Sequence, residues 1–262
     1  MTDTGGTLGT LIIEPIACLK DNYAYLIRDS KSSDAYLVDP SVAEPCAAVL
    51  ARDGLTLRGI LATHHHVDHV GGIGDLVQRW GDSLQFVAGH AGDRGRIPEQ
   101  TLFADAPADR FVATDRTVAG RTLIARHIPG HTRWAIAWGL AMPSEGAVPS
   151  DVFTGDTLFG AGCGRLFEGS PADMFASLRA FAELPETTRL WFGHEYTSSN
   201  LRFAAVVEPE NQAVRARALE TEAFPKAVTT PTTVGLERAT NPFVRASSVE
   251  QLAERRAAKD KF

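Results

Sequence analysis

Four side chains of the kinds that bind metal ions fall within six residues of the chain, in the pattern His-x-His-x-Asp-His. His64 and His66 alternate along an extended segment, so both can face one site while His65 points elsewhere. Asp68 and His69 follow where the chain turns. Imidazole and carboxylate ligands suit zinc or iron, and a motif without cysteine argues against a closed structural zinc site. The motif therefore predicts a metal site with room for chemistry.

Three further candidate ligands, His131, Asp156 and His194, each follow a short apolar run and an immediately preceding glycine. Together with the first motif they make seven ligands, five histidines and two aspartates. This set is too large for one tetrahedral ion and suits two ions that share a bridge. A carboxylate can bridge two cations, whereas an imidazole normally cannot. The sequence leaves the bridge open, and Asp156, which stands apart from the first motif, is the better candidate.

Short strands separated by turns must position these ligands. Apolar runs with turn signals predict strands over residues 11–16, 24–27, 35–38, 59–62, 85–88, 121–128, 134–141, 152–154 and 189–192. Helices are predicted over residues 43–52, 70–80 and 171–184. The last of these has Ser170 as its cap, Pro171 at the first position and Asp173 in the first turn. A strand-rich body with interspersed helices predicts two sheets flanked by helices.

The character of the chain changes after Tyr196. Residues 199–207 and 210–222 are alanine-rich with a helical pattern, whereas residues 224–241 are rich in threonine and proline without clear periodicity. A last helix is predicted to begin at Ser247, with Glu250 completing a capping box. We therefore expect residues 197–262 to form a small helical domain. Residues 142–150 are expected to form an exposed hairpin loop.

The composition limits the kind of protein that this can be. The 262 residues are 44% hydrophobic and 22% charged, as in an ordinary globular protein of one large or two modest domains. A net charge of −6 gives no broad basic surface and disfavours a nucleic-acid partner. Three widely spaced cysteines fit a reducing cytosol. We find no signal peptide and no bilayer-spanning run, so we expect a cytoplasmic protein without a membrane partner.

Several motifs resemble those of the metallo-β-lactamase superfamily and, within it, of the glyoxalase II enzymes, the hydroxyacylglutathione hydrolases. The superfamily signature corresponds to Thr63-His-His-His-Val-Asp-His69. The motifs that resemble glyoxalase II more narrowly extend over essentially the whole chain: Lys20-Asp-Asn-Tyr-Ala-Tyr-Leu-Ile27, Val38-Asp-Pro40, Gly155-Asp-Thr-Leu-Phe159, Gly162-Cys-Gly-Arg165, Gly193-His-Glu-Tyr-Thr197, Asn241-Pro-Phe243 and Lys259-Asp-Lys-Phe262.

The resemblance implies an α/β fold, an αββα metallo-β-lactamase sandwich followed by a small C-terminal α-helical domain. Residues 1–196 would form the catalytic domain and residues 197–262 the substrate-binding domain. The implied ligands are His64, His66 and His131 for one metal ion and Asp68, His69 and His194 for the other, with Asp156 as the bridge. Both ions would be divalent, with zinc expected first and iron or manganese as alternatives.

The resemblance also implies the reaction. A hydroxide between the two ions, in contact with Asp68 and Asp156, would attack the carbonyl of a glutathione thioester. The substrate would be an S-(2-hydroxyacyl)glutathione such as S-D-lactoylglutathione, giving D-lactate and glutathione in methylglyoxal detoxification. A protein with this activity would act on a small molecule, and we expect it to be a monomer.

Substrate contacts are implied at five positions: Arg165, Phe167, Tyr196, Arg256 and Lys259. Some of these depart from the family pattern. The family commonly has lysine where Arg165 stands, and tyrosine where Phe167 stands, so one hydroxyl contact is expected to be missing. Trp134-Ala135 stands where the family has a Gly-His pair. These departures leave open whether the thiol is glutathione or another small thiol.

Other activities occur on this fold, including lactone and β-lactam hydrolysis, persulfide oxidation and RNA processing. A persulfide dioxygenase would use a single iron, which the seven-ligand set disfavours. The net charge disfavours an RNA nuclease, and a secreted β-lactamase would carry a signal peptide. The alternative outside enzymology is a metal-binding scaffold without turnover, which the loss of a ligand would favour.

Overall fold

The protein, described by a computed structural model over residues 8–144, 146–224 and 227–262, is built on two six-stranded sheets. The first sheet follows the chain order: β1 (Leu11–Cys18), β2 (Asn22–Asp29), β3 (Asp34–Val38), β4 (Thr56–Leu61), β5 (Phe86–His90) and β6 (Leu102–Ala104). Strands β1 to β3 pair antiparallel, and β3 to β6 pair parallel. The carboxyl ends of β4 and β5 therefore lie at one edge.

The second sheet has a different connectivity. In spatial order it contains β14 (Thr232–Thr233), β13 (Arg189–Phe192), β10 (Asp151–Gly155), β9 (Ile136–Ala141), β8 (Arg121–His127) and β7 (Val112–Val118). Strands β10 and β13 pair parallel, so the segments that follow both strands leave from the same edge. A small two-stranded sheet of β11 (Leu158–Phe159) and β12 (Gly162–Cys163) lies between them in sequence.

The two sheets pack face to face with helices outside them. Alternate side chains of β2 show the division: Tyr25 packs in the cluster between the sheets, with Trp138 and Phe153 of the second sheet, whereas Leu26 packs outward. The outward cluster on the first sheet includes α1 (Ala43–Arg52) and α3 (Ile73–Trp80), and that on the second sheet includes α4 (Pro171–Ala182), α7 (Val234–Thr240) and α8 (Val249–Lys259). The predicted αββα sandwich is confirmed.

The predicted helix over residues 70–80 is two helices, α2 (Val67–Val70) and α3. Two glycines lie between them because the backbone passes too close to other chain segments for a side chain. A Cβ on Gly71 would lie 2.7 Å from the carbonyl oxygens of Ser41 and Val67, and one on Gly72 would lie 2.6 Å from the carbonyl carbon of Val42. Asp68 and His69 lie in α2, directly before this turn.

The C-terminal part is helical, as predicted, with α5 (Thr197–Val207), α6 (Gln212–Ala223), α7 and α8. It shares a core with the second sheet, because Phe203, Phe243 and Leu252 pack in one cluster with Ile124 and Leu190. The aperiodic stretch over residues 224–241 also contains α7 and the edge strand β14, which the sequence analysis missed. No helix in the described ranges is long and apolar enough to cross a membrane.

Two predicted helix starts have different outcomes. At α4, Ser170 accepts a hydrogen bond from the Asp173 amide (3.2 Å) and the Asp173 carboxylate accepts from the Ser170 amide (2.8 Å), so the capping box forms. At α8 the prediction of Ser247 as cap with Glu250 is wrong by one residue. Ser248 is the cap, accepting from the Gln251 amide at 3.2 Å, and Gln251 accepts from the Ser247 amide at 2.8 Å.

The loop over residues 142–150 connects the antiparallel strands β9 and β10, as the sequence predicted, although Glu145 lies outside the described residues. Strands β6, β7, β11 and β12 were not predicted from the sequence. Strand β7 has mostly exposed or partly exposed side chains, so it lacks the apolar alternation on which the strand predictions depend.

Candidate metal centre

The seven predicted ligands meet at one edge of the sandwich, where strands of both sheets end. His64 and His66 follow β4, and Asp68 and His69 lie in α2. The other three follow strands of the second sheet: His131 comes after β8, Asp156 after β10 and His194 after β13. The arrangement brings together all of the predicted ligands, from positions up to 130 residues apart in sequence.

The first group of ligands is His64, His66 and His131. The Nδ1 atom of His66 lies 3.1 Å from His64 Nε2 and 3.0 Å from His131 Nε2. Two nitrogens bound to one zinc ion at about 2.0–2.1 Å are roughly 3.3 Å apart in tetrahedral geometry. The three ring nitrogens therefore converge at the spacing that a single ion requires.

The second group is Asp68, His69 and His194. Nε2 of His194 lies 3.3 Å from His69 Nε2 and 3.4 Å from Asp68 Oδ2. The Asn22 amide group donates to the Asp68 carbonyl oxygen at 2.9 Å and to Asp68 Oδ2 at 3.3 Å, which fixes the orientation of this carboxylate. A mixed set of two imidazoles and one carboxylate is suited to a divalent transition-metal ion.

Asp156 lies between the two groups. Its Oδ2 is 3.5 Å from His131 Nε2 of the first group and 3.3 Å from His194 Nε2 of the second, while its Oδ1 is 3.2 Å from His69 Nε2. Oδ1 is buried and has no hydrogen-bond partner of good geometry in the described part of the chain. A buried carboxylate oxygen without a partner is costly unless a cation faces it. The residues present thus fit a dinuclear metal site with Asp156 shared.

The charges of the site divide the histidines into two kinds. Burial and the neighbouring imidazoles lower the pKa of His64 well below its usual value, so its ring is neutral and able to bind a metal. Burial opposes the positive charge on His194 as well, but the carboxylates of Asp156 and Asp68 raise its pKa to about 10. Likewise burial opposes the charge on Asp156, yet the facing ring of His69 holds its pKa well below the usual range. The carboxylates thus favour positive charge at the second group.

Residues behind the ligands fix the orientation of the imidazole rings. The ring nitrogens that face away from the centre donate hydrogen bonds: His69 Nδ1 to Asp39 Oδ2 (3.0 Å), and His194 Nδ1 to Asp21 Oδ1 (2.8 Å). His131 Nδ1 donates to the Arg165 carbonyl oxygen at 2.9 Å. Such partners set the tautomer and raise the basicity of the ligand nitrogen.

The motifs singled out in the sequence contain Asp21 and Asp39, but neither residue was predicted to have a role. Asp39 immediately follows β3 and has a left-handed backbone conformation, with φ of +47°. A non-glycine residue is seldom found there without a functional or structural reason. An aspartate directly after a buried strand was the available signal, since that is also where Asp156 is found.

At His194, a steric argument explains why the residue before the predicted ligand is glycine. A Cβ on Gly193 would lie 2.4 Å from Asp156 Oδ1 and 2.6 Å from the Cε1 atom of His69. Real Cβ atoms do not approach other atoms this closely, so any side chain at this position would displace two ligands. The repeated pattern of strand, glycine and ligand is thus explained here by a close approach of the backbone to the centre.

A pocket of about 800 Å³ opens from the metal cluster toward the C-terminal helices. Its walls include all five of the predicted substrate contacts: Arg165, Phe167, Tyr196, Arg256 and Lys259. The structure adds wall residues that the sequence analysis did not select, among them Asn200, Arg202 and Asp260. The pocket wall therefore combines several cations with five of the seven predicted ligands.

The aromatic wall residues lie directly against the predicted metal ligands. Phe167 contacts the rings of His66 and His131 edge-on, with centroid separations of 5.6 and 5.2 Å. Tyr196 stacks on His194, with centroids 4.9 Å apart and planes 8° from parallel. Both rings therefore border the space in which a bound substrate would meet the centre.

The cationic wall residues are partly engaged with the protein itself. The guanidinium group of Arg256 donates to the Cys163 carbonyl oxygen at 2.7 Å, which holds α8 against β12, and to Asp260 Oδ1 at 3.0 Å. Its Nε is buried without a partner in the described residues. Lys259 Nζ donates to the Ser199 carbonyl oxygen at 3.0 Å, and burial together with Arg256 lowers its pKa to about 8.

Comparisons with known proteins agree with this fold and site. The sequence model of the Metallo-beta-lactamase superfamily matches residues 20–194, and that of the Hydroxyacylglutathione hydrolase C-terminus matches residues 195–262. The hydroxyacylglutathione hydrolase of Thermosynechococcus vestitus is 47% identical over 239 residues, covering 90% of this chain and 88% of the relative.

Two solved structures are similar over most of their length. ETHE1 from Myxococcus xanthus is 25% identical with a TM-score of 0.63, covering 94% of this chain and 90% of that protein. TTHA1623, solved in a di-iron-bound form, is 26% identical with a TM-score of 0.56, covering 88% and 99%. The fold and the ligand set thus define a metal-dependent hydrolase of the metallo-β-lactamase superfamily. The chain belongs to the hydroxyacylglutathione hydrolase family, which confirms the resemblance seen in the motifs.

Proposed function

We propose that the protein hydrolyses S-(2-hydroxyacyl)glutathione thioesters, with S-D-lactoylglutathione as the substrate that yields D-lactate and glutathione in methylglyoxal detoxification. The observation that carries this proposal is that one pocket is lined both by five of the seven predicted ligands and by the cations Arg165, Arg202, Arg256 and Lys259. Glutathione carries two carboxylates, which the guanidinium and ammonium groups of that wall would attract. Relatives that share both matched regions bear the name of this activity.

We assign the metal ligands as the family resemblance implies. His64, His66 and His131 would hold one ion, Asp68, His69 and His194 the other, and Asp156 would be shared. When bound, the two ions supply a hydroxide nucleophile at neutral pH and an electrophile for the thioester carbonyl. Zinc is the proposed metal, since neutral imidazoles and carboxylates suit it. Iron or manganese are the alternatives, and the di-iron form of TTHA1623 supports iron.

The protein residues orient the reactants around that chemistry. Asp68 and Asp156 both line the pocket, so each can accept a hydrogen bond from the attacking water and take part in catalysis. Arg165 and Lys259 would attract the carboxylates of the glutathione moiety, and Tyr196 and Phe167 would hold the acyl end against the metal ligands. Arg256, whose guanidinium group is held by the Cys163 carbonyl oxygen and Asp260, would add positive charge to the same wall.

We further propose that two parts of the chain have different functions. Residues 1–196 would form the catalytic domain, since they contain all of the ligands, and residues 197–262 the domain that binds the glutathione moiety through Arg256 and Lys259. We also propose that the protein acts as a cytoplasmic monomer on a small molecule, without a nucleic-acid or membrane partner. The net charge of −6 and three free, buried cysteines support this view.

A substrate panel tests the proposed function. Purified protein would be assayed with S-D-lactoylglutathione, the lactoyl thioester of a thiol without carboxylates, and a lactone. We expect hydrolysis of the first to be fastest and to stop with a chelator. Equal rates on both thioesters would overturn the glutathione assignment, and faster lactone hydrolysis would overturn the thioesterase assignment.

A further inference from the structure

His65, the middle residue of the three consecutive histidines, points away from the metal ligands into a cluster of charged groups. Its Nδ1 lies 3.1 Å from Asp93 Oδ1 and its Nε2 lies 3.6 Å from Glu168 Oε1. The Arg96 guanidinium contacts His65 Nε2 and pairs with Glu168 Oε1 at 2.7 Å and with Asp93 Oδ1 at 3.4 Å. We call these four residues the His65 network.

The His65 network joins three segments that are distant in sequence. His65 lies in the ligand loop after β4, Asp93 in the short turn over Ala91–Asp93 after β5, and Glu168 in the loop after β12. Asp93 is almost fully buried, whereas the side chains of Arg96 and Glu168 are 41% and 26% exposed. Exposed ion pairs contribute little to folding stability, so a purely structural role for Glu168 would be minor.

Glu168 belongs to a loop that serves the metal centre in several ways. Its Oε2 accepts a hydrogen bond from the amide of Arg133 at 2.9 Å. The neighbouring amides of Phe167 and Gly169 donate to the carbonyl oxygens of His131 (3.2 Å) and Gly130 (3.1 Å). The position of Glu168 is therefore coupled to that of the His131 segment.

The same loop carries the inner wall of the pocket. The Arg165 carbonyl oxygen accepts the hydrogen bond from His131 Nδ1, and the Phe167 ring covers the rings of His66 and His131. This loop presents Arg165, which would bind the substrate, and the aromatic ring of Phe167. Both must stay at a fixed distance from the predicted ligands, since small displacements of positioning groups weaken transition-state contacts. Within the described part of this loop, the Glu168 carboxylate accepts hydrogen bonds from both the Arg96 guanidinium group and the Arg133 amide.

We propose that Glu168 is a positioning residue for the thioester substrate, and that the His65 network fixes Arg165 and Phe167 relative to the first metal group. This proposal rests on the proposed function, because it assumes that the pocket binds a glutathione thioester. Glu168 is not among the residues that line the pocket, so it would act through the loop that it anchors.

The test is the charge-removing substitution Glu168→Gln. We expect KM for S-D-lactoylglutathione to rise about fivefold, the scale of one ion pair of about 1 kcal/mol, with kcat changed less than about twofold. Two metal ions per chain should be retained. Hydrogen exchange at the Phe167 and Gly169 amides should become faster. The matched control is Glu186→Gln, which removes an exposed carboxylate that pairs with Arg238 at 3.3 Å and is not among the residues lining the pocket.

Substitutions at Arg96 test whether Glu168 acts through the His65 network or on its own. Arg96→Gln should reproduce the rise in KM, Arg96→Lys should restore most of the wild-type value, and the double variant should be no worse than either single change. An unchanged KM and unchanged exchange in Glu168→Gln would overturn the proposal, as would additive effects in the double variant.

The proposal can fail separately from the proposed function. Hydrogen exchange and calorimetric binding of free glutathione require no turnover. If the wild-type protein does not hydrolyse the thioester, the proposed function fails, while faster exchange in Glu168→Gln would still support the anchoring of the loop. If the wild type hydrolyses it and the variant shows slower turnover with lost metal instead of a higher KM, the positioning role is wrong.

Discussion

A substitution of Asp39 tests how strongly the residues that hydrogen-bond to the predicted ligands affect metal binding. Its Oδ1 accepts from the Thr63 amide at 2.7 Å, and its Oδ2 accepts from the Thr63 hydroxyl at 2.6 Å and from His69 Nδ1 at 3.0 Å. In Asp39→Asn, one of these oxygens becomes an amide nitrogen, which cannot accept. Either the Thr63 amide or the His69 ring then faces another donor.

The size of the effect follows from those contacts. A hydrogen bond to a charged group contributes about 1.5–3 kcal/mol, and losing a partner behind a metal ligand lowers metal affinity about 10- to 100-fold. If His69 avoids the clash by moving its proton to Nε2, that nitrogen can no longer bind a metal. We therefore expect one of the two ions to bind about 10- to 100-fold more weakly in Asp39→Asn, with the other unaffected.

The assay is competition for the metal with a chromophoric chelator, followed as two separate binding steps. Asp115→Asn is the matched control, since it makes the same change at a 74% exposed carboxylate of β7, 3.6 Å from Arg116. Activity of Asp39→Asn should return when excess metal is added. Two wild-type affinities in Asp39→Asn would refute the reasoning, as would a loss of activity that excess metal cannot restore.

Three further predictions follow from the site. Gly193→Ala should abolish binding of at least one metal ion, because the new Cβ would lie 2.4 Å from Asp156 Oδ1, and metal analysis of the purified variant checks this. Lys259, with its pKa lowered to about 8, loses its charge as the pH rises through that value, so KM for the anionic substrate should rise above pH 8. In Lys259→Arg this step in the KM profile should vanish, since arginine stays charged. Phe167→Tyr should lower KM by up to about fivefold through one new hydrogen bond of about 1 kcal/mol, and steady-state kinetics would show no change if the hydroxyl finds no partner on the substrate.

The ligands are predictable from the sequence because a strand end fixes direction. His64, Asp156 and His194 each follow a short apolar run that predicts a strand, so the sequence selects them as candidate ligands, but that strands of two different sheets bring them together is seen only in the folded chain. The residues that hydrogen-bond to these ligands cannot be predicted from strand ends. Asp21 bonds to His194 across 173 residues, and only the folded chain shows that this aspartate, among many, lies there.

The elements that the sequence missed lack a local signal. Helix α7 lies in a stretch rich in threonine and proline, and its stability comes from packing of Val234 in the shared core and from buried hydrogen bonds of Glu237. The start of α8 was placed one residue too early because Ser247 and Ser248 are adjacent and both have a suitable acceptor residue three positions on. Only the folded chain shows which serine is the cap, since the Ser248 hydroxyl accepts from the Gln251 amide.

The central claim is that two metal ions held by the seven ligands perform the hydrolysis. The most direct measurement is a titration of the metal-free protein with zinc, in which bound metal and the rate of S-D-lactoylglutathione hydrolysis are followed together. The account predicts no activity without metal and a plateau in rate at two ions per chain, with Asp156→Asn failing to reach it. A full rate in the metal-free protein, or an Asp156→Asn variant with wild-type binding and rate, would contradict it.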